Sequence, residues 1–141
     1  YIVATGRGDF ANQVNNSIGF PGILKGAMMV KSKKITDNMA IAAAYSIANT
    51  AEKKGINPEY IIPGMDEWEV FPSEARDVAM QAIKDGVARI DMTPDEVFAK
   101  AEADIKESRD LIHNMMDTGF IKKPPLEILE KALANAIEQV K

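Results

Sequence analysis

The run Tyr1-Ile-Val-Ala-Thr5, closed by Gly6, is apolar at consecutive positions and rich in β-branched residues, the pattern of a strand buried on both faces inside a parallel sheet. Such a strand cannot satisfy its own backbone N–H and C=O groups. The other short extended segment is Tyr60-Ile-Ile-Pro63, where proline pushes the residue before it into extended geometry. The remaining apolar periodicity is helical. The pattern predicts a mainly α chain, about five helices with one or two short strands, whose first strand must find its hydrogen bonds elsewhere. The chain also opens at Tyr1, inside that strand and without a methionine, and is expected to be the end of a longer α/β protein.

Local signals place the helices. Phe20-Pro21-Gly22 suits the first turn of a helix in the stretch Gly19 to Lys31, with Ile23, Leu24, Ala27 and Met28 as its face. Thr36 can cap a second helix by accepting from the N–H of Asn38 or Met39, and Gly55 stops it after Lys54. Alanine nearly all round that helix predicts close packing on more than one side. A third helix is expected from Pro72 to Asp85, with Ala75, Val78, Ala79, Ala82 and Ile83 on one stripe and Gly86 as its end. Thr93-Pro-Asp-Glu96 is a capping box with proline at the first helical position, opening a fourth helix to about Asp117 before Gly119. It is expected to bury Val97, Phe98, Ala101, Ile105, Leu111, Ile112 and Met115. A fifth, Pro125 to Val140, is expected to pack Leu126, Leu129, Leu133, Ala136 and Ile137.

Composition narrows the function classes. With 141 residues, 46% hydrophobic and 27% charged, the chain can bury one core. A net charge of -4, with lysines scattered among acids, gives no field for phosphates, so nucleic acid is not an expected partner. No window approaches the roughly 20 apolar residues of a membrane helix, and the expected setting is the cytoplasm. There is no cysteine, and the single histidine, His113, can build neither a metal cluster nor a catalytic pair. Asp66-Glu67-Trp68-Glu69 is read as a solvated loop, because consecutive acids cannot all face one point. The methionines sit mostly at helical spacing, as core filler. No catalytic residue and no metal ligand is assigned in this chain.

Four amide side chains, Asn12, Gln13, Asn15 and Asn16, crowd the loop between the first strand and the first helix. On residue type alone they are caps, since asparagine is a preferred residue where a loop becomes a helix. Gly6-Arg-Gly8 lacks the third glycine of a dinucleotide loop. Arg7 is an anion contact or a solvated loop cation.

The segment VATGRGDFANQVNNSIGFPGILKGA, Val3 to Ala27, followed in order by EYIIP (Glu59 to Pro63) and GVAR (Gly86 to Arg89), resembles the last third of NAD(P)-dependent malic enzymes of the small prokaryotic type. The resemblance implies that residues 1–89 are the C-terminal part of a Rossmann-type NAD(P)-binding domain and that 90–141 are a helical extension. It implies malate dehydrogenase activity of the decarboxylating kind: malate becomes pyruvate and carbon dioxide, NAD or NADP takes the hydride, and Mg or Mn polarises the 2-oxygen. Carried onto this sequence, Asn15 and Asn16 contact substrate, Asn16 also the nicotinamide, and Thr5 or Gly6 contacts the cofactor unless the glycine merely turns the chain. Asn12 and Gln13 remain loop scaffold. An amide suits such a contact because it orients a malate carboxylate without a cation that would stabilise the ground state about to lose carbon dioxide. The dinucleotide glycine motif, the tyrosine and lysine acid-base pair and the acidic metal trio of such enzymes do not occur here in matching context, so the metal ligands are expected outside this segment. The isolated chain is expected to be inactive, its partner the upstream portion of the same enzyme, the whole a homodimer. The other class the residues allow is a non-catalytic helical interaction module related by descent.

Overall fold

The computed structural model describes residues 1–122 and 125–140. A short 3-10 turn, Asn16–Ile18, leads into α1 (Phe20–Met29), α2 (Asp37–Lys54), α3 (Val70–Lys84), α4 (Pro94–Asp117) and α5 (Leu126–Val140). Two compact units result, Tyr1–Ile105 and Lys106–Lys141, the division falling within α4.

In the first unit α3 is the central element, packed by both α1 and α2. The core joins Ala27 and Val30 at the end of α1, Met39 and Ala43 of α2, Val78, Ala79 and Ala82 of α3, and Val97 of α4. A smaller cluster of Ile18, Ile47 and Val70 fastens the 3-10 turn to α2 and α3. Local signals start and stop α2 and α4 as expected, whereas α3 begins at Val70, two residues before the expected Pro72 and with no side-chain cap. Thr36 Oγ1 accepts from Met39 N–H at 3.2 Å and donates to Asp85 Oδ2 at 2.6 Å, so α2 is capped from its own chain and tied to the end of α3. That bond, ahead of those from Gln81 and Asn38, holds the Asp85 carboxyl below its ordinary range. Thr93 N–H donates to Glu96 Oε2 at 2.8 Å and Glu96 N–H to Thr93 Oγ1 at 3.3 Å, which completes the capping box of α4. Gly86 and Gly119 leave α3 and α4 at φ of 68° and 81°.

The face of α1 differs from expectation. Leu24 and Met28 point outward, 48% and 74% exposed, and the buried line runs through Gly22, Gly26 and Ala27. A Cβ on Gly26 would strike Ala75 O and the Val78 side chain. Close approach of bare backbone, not bulk, decides which side of α1 faces α3. Likewise α2 buries one stripe, Met39, Ala43, Ser46, Ile47 and Ala51, and leaves Ile41 and Tyr45 exposed. Among the described residues its alanines do not meet neighbours on several sides.

A parallel bridge, Thr5 to Gln13, links the first segment to the loop that follows it. Val14 N–H donates to Thr5 O at 2.8 Å and Thr5 N–H to Asn12 O at 3.3 Å. Ile2 and Val3 are 59% and 57% exposed instead of buried on both faces, because no sheet neighbour lies against them among the described residues. Among the described residues the strand pairing of Tyr60 is an isolated antiparallel bridge to Asn57. Val97 and Ala101 bury the start of α4, whereas Leu111 and Ile112 are exposed. In the second unit Leu126, Leu129, Leu133, Ala136 and Ile137 of α5 are all exposed, so the packing expected of that stripe is not made among the described residues. Amphipathic spacing marks which side of a helix would be buried and is silent on what covers it.

Replacing Gly26 by Ala is expected to lower stability by about 1–3 kcal/mol through overpacking against α3, while Leu24→Ala costs less, by urea unfolding of both variants.

Candidate functional site

The bridge between Thr5 and Gln13 pinches residues 6–12 into a loop with its ends together. Asn12 organises it. The residue is 6% exposed and sits at φ 56°, a left-handed conformation that asparagine tolerates better than most. Its Nδ2 donates to Val3 O at 3.0 Å and Pro58 O at 2.8 Å, and its Oδ1 accepts from Ile61 N–H at 2.8 Å. One side-chain amide, with both donors and its acceptor used, thereby joins the first segment, the loop and both sides of Tyr60. Gln13 Nε2 donates to Gly6 O at 3.3 Å, a further tie within the loop. Both side chains bond backbone carbonyls of this segment, Asn12 buried and Gln13 exposed.

Asn15 and Asn16 are placed differently. Asn15 is the N-cap of the 3-10 turn, its Oδ1 accepting from Ser17 N–H at 3.0 Å. The capping role therefore uses its oxygen and leaves its two N–H donors. Asn16 is exposed as the first residue of the turn; its carbonyl accepts from Gly19 N–H at 3.1 Å, and its side chain makes no hydrogen bond among the described residues. Both line an apolar groove of about 430 Å³ with Phe20, Ile23, Ala43, Ile47 and Ile61, and no ionisable side chain is on its walls. A second pocket of about 260 Å³, on whose wall Asn15 also lies, is bounded by Gly8, Phe10, Ser17, Tyr60 and Glu67.

Thr5 and Gly6 sit at the mouth of the loop. Thr5 Oγ1 accepts a long bond from Arg7 N–H at 3.4 Å, and Gly6 O is taken by Gln13. Arg7 is not a spare cation: its Nε donates to Asp9 Oδ1 at 2.8 Å, its second nitrogen pairs the other carboxylate oxygen, and the guanidinium lies 5.2 Å from the Phe10 ring centre.

Two carboxylates escape sequence reasoning. Glu67, from the acidic stretch expected to be a solvated loop, is turned inward: Tyr60 O–H donates to its Oε2 at 2.9 Å, Gly64 N–H donates to its Oε1 at 2.7 Å, and Lys54 pairs with it. Burial raises its pKa, but the bonds from Lys54, Gly64 and Tyr60 outweigh that and bring it below the ordinary value. Burial, then the bond to Glu67, raises Tyr60. Glu74, on α3, is wholly buried, and among the described residues neither carboxyl oxygen has a hydrogen-bond partner of normal geometry. Burial pushes its pKa up to about 8, with the Gly22 N–H pulling weakly the other way. Among the described residues no group of three or more His, Cys, Asp or Glu side chains is placed to hold a metal ion, and His113 is exposed on α4.

Comparison with known proteins matches residues 2–87 to the family described as malic enzyme, NAD binding domain. The bifunctional malic/malolactic enzyme of Bacillus subtilis (strain 168) is 43% identical over 99 residues, covering 70% of this chain and 24% of its own length. The crystal structure of Entamoeba histolytica malic enzyme superposes with a TM-score of 0.93 at 60% identity, over 100% of this chain and 29% of that one. That of malic enzyme from Pyrococcus horikoshii Ot3 gives 0.75 at 43% identity, over 81% of this chain and 26% of that one. The chain thus spans under a third of the length of these relatives.

Asn12→Ala is expected to cost about 1–3 kcal/mol, since the Ile61 N–H and two carbonyls lose their partner, and Asn12→Gly should not rescue it although glycine accepts the backbone conformation; thermal melts compare the two. Stability should also fall as pH rises. Between the ordinary carboxyl value of 4.5 and about 8 the folded state keeps the Glu74 proton that the unfolded chain releases, so the unfolded state is favoured progressively across that window. Urea midpoints measured from pH 5 to 8 should decline in the wild type and decline less in Glu74→Gln.

Proposed function

This chain belongs to the malic enzyme family through its NAD-binding domain, and on that premise we propose that it supplies, within a longer enzyme or an assembly with the upstream segment, the amides that orient malate and the nicotinamide during oxidative decarboxylation to pyruvate and carbon dioxide. Its 1–89 portion serves the NAD(P)-binding domain in this reading, and 90–141 is an added helical extension.

The observation that supports it most is the division of labour within the loop. Asn12 spends its whole amide inside the fold and the exposed Gln13 ties one N–H to Gly6 O, whereas among the described residues Asn15 keeps its N–H pair and Asn16 its whole side chain. In a groove with no ionisable wall, such donors are strengthened by weak screening and can hold a carboxylate or hydroxyl oxygen of a small dianion in a fixed orientation. Asn15, with its oxygen fixed by Ser17, presents its donors with little rotational freedom. Asn16 can both donate to a malate carboxylate and accept from the carboxamide of a nicotinamide. Among the described residues no cation on that wall adds to the ground-state stabilisation of the departing carboxylate.

Only part of the cofactor fits these residues. The half-buried Thr5, the exposed Gly6 and the side chain of Asn16 suit the nicotinamide end, where bound NAD or NADP supplies the two-electron oxidation of the malate C2 centre. The Gly6-Arg-Gly8 turn is closed by Gln13 and by the Arg7 to Asp9 pair, and does not form a phosphate cradle. The described residues do not fit a metal ion, and no step is assigned to one.

The competing reading, a non-catalytic interaction module, draws on the exposed apolar stripe of α5. Mixing this chain with the upstream segment decides between them. The enzyme reading expects malate-dependent reduction of NAD or NADP, and a loss of about 10- to 100-fold in kcat/KM for Asn16→Ala, equivalent to one hydrogen bond to a charged group. Full activity of the Asn16→Ala assembly would remove the site assignment; no turnover with any upstream segment would favour the module.

A further inference from the structure

We propose that Glu74 is a positioning residue for the substrate amides, a wedge beneath the first turn of α1 that sets where Asn15 and Asn16 stand. This rests on the reading of those amides as substrate donors.

The first turn of α1 has no cap of its own. Gly19 stands at the N-cap with no side chain to offer, and Pro21 has no N–H, which leaves the Phe20 and Gly22 amides outside the helical ladder. From α3 the Glu74 carboxyl fills this place. A Cβ on Gly22 would overlap Oε2, Cδ and Cγ of Glu74, so the carboxyl occupies the volume that any other residue at 22 would need. Its Oε1 lies 3.8 Å from where a Cβ of Gly19 would stand. The group therefore spans the joint between the 3-10 turn and α1.

That joint is rigidly coupled to the amides. Gly19 N–H donates to Asn16 O at 3.1 Å, and Ile23 N–H donates to Gly19 O at 3.1 Å, so one glycine is bonded backward to Asn16 and forward into the helix. Ile18 N–H donates to Asn15 O at 3.2 Å, while the Ile18 side chain is held by Ile47 and Val70. Two supports thus fix the amide pair: an apolar one under Ile18 and a polar one under Gly19 and Gly22. A wholly buried carboxyl with no well-formed hydrogen bond is a poor choice for stability alone. Its presence at this joint is accounted for by placement, where a shift of about 1 Å at the substrate is costly.

Stability and activity should then separate. In the assembly of this chain with the upstream segment, Glu74→Leu removes the buried polar atoms at similar volume and should leave the unfolding midpoint equal or higher. Its kcat/KM for malate should fall about tenfold. Glu74→Gln keeps the planar group and should restore most of the malate kcat/KM. With asparagine-selective ¹⁵N labelling, the Asn15 and Asn16 side-chain resonances should move in Glu74→Leu and stay near wild type in Glu74→Gln. If Glu74→Leu does not fold, the pair Gly22→Ala/Glu74→Ala, in which the new methyl refills the space, should show the same malate loss and resonance shifts. Unchanged malate kinetics together with unmoved asparagine resonances in the apolar variant would overturn the proposal, as would equal loss in Glu74→Gln and Glu74→Leu. A wild-type assembly without malate turnover, but with asparagine resonances that respond to Glu74→Leu, would instead remove the functional reading and keep Glu74 as the wedge.

Discussion

Two positions one helical turn apart in α1, Gly22 and Gly26, carry no side chain, and the contact with α3 depends on that. Ala75 O and Val78 reach the backbone at Gly26, and the Glu74 carboxyl reaches it at Gly22. Helices that approach through glycine cannot rotate about their axes without forcing a side chain into the gap, because interiors are packed too tightly to yield. The orientation of α1 is therefore fixed along its length, with Leu24 and Met28 turned away from α3. Its N-terminal end, and with it the turn that bears Asn15 and Asn16, inherits that fixed orientation.

The other end of the loop is governed by hydrogen bonding rather than by packing. An isolated extended segment needs partners for its backbone, and here the loop that follows it supplies some of them. Asn12 O and Val14 N–H meet Thr5, and the Asn12 side chain meets Val3 O before reaching across to Pro58 and Ile61. A side-chain amide has the same donor and acceptor types as a peptide group and can stand in for a missing strand at one point. It cannot cover the strand's side chains, so Ile2 and Val3 remain exposed.

The features legible in the sequence are those decided within a few residues. Thr36, the Thr93 to Glu96 box, Gly86 and Gly119 act on their own turns, and the helix limits follow them closely. The resemblance carried by the amide loop is legible too, because many residues of one segment bear it. Features that depend on a neighbour distant in sequence are not. The glycine spacing of α1 is visible in the sequence, but its meaning needs α3. Glu67 looks solvated because nothing nearby in sequence shows that Lys54 and Tyr60 come to meet it. Glu74 lies beside an apolar stripe that the sequence does mark, yet a carboxylate is rarely wholly buried without a partner, so nothing singles it out. The apolar stripe of α5 reads as packed because periodicity alone cannot name the surface it would meet.

The charges around the amide loop bear on what the loop can do. Arg7 is neutralised by Asp9 and Glu67 by Lys54, while Glu74 holds its proton up to about pH 8. The groove lined by Asn15 and Asn16 then presents dipoles and apolar surface only. A dianion such as malate is not drawn into such a groove by Coulomb attraction from these walls; its charge would have to be compensated by cationic groups from the rest of an assembly. Attraction and orientation would thereby be divided. The long-range term would come from elsewhere, whereas the short-range, directional term would come from amides fixed by Ile18, Gly19 and Glu74. That division keeps a cation away from the amide-bearing wall, which favours loss of carbon dioxide if the departing carboxylate lies there.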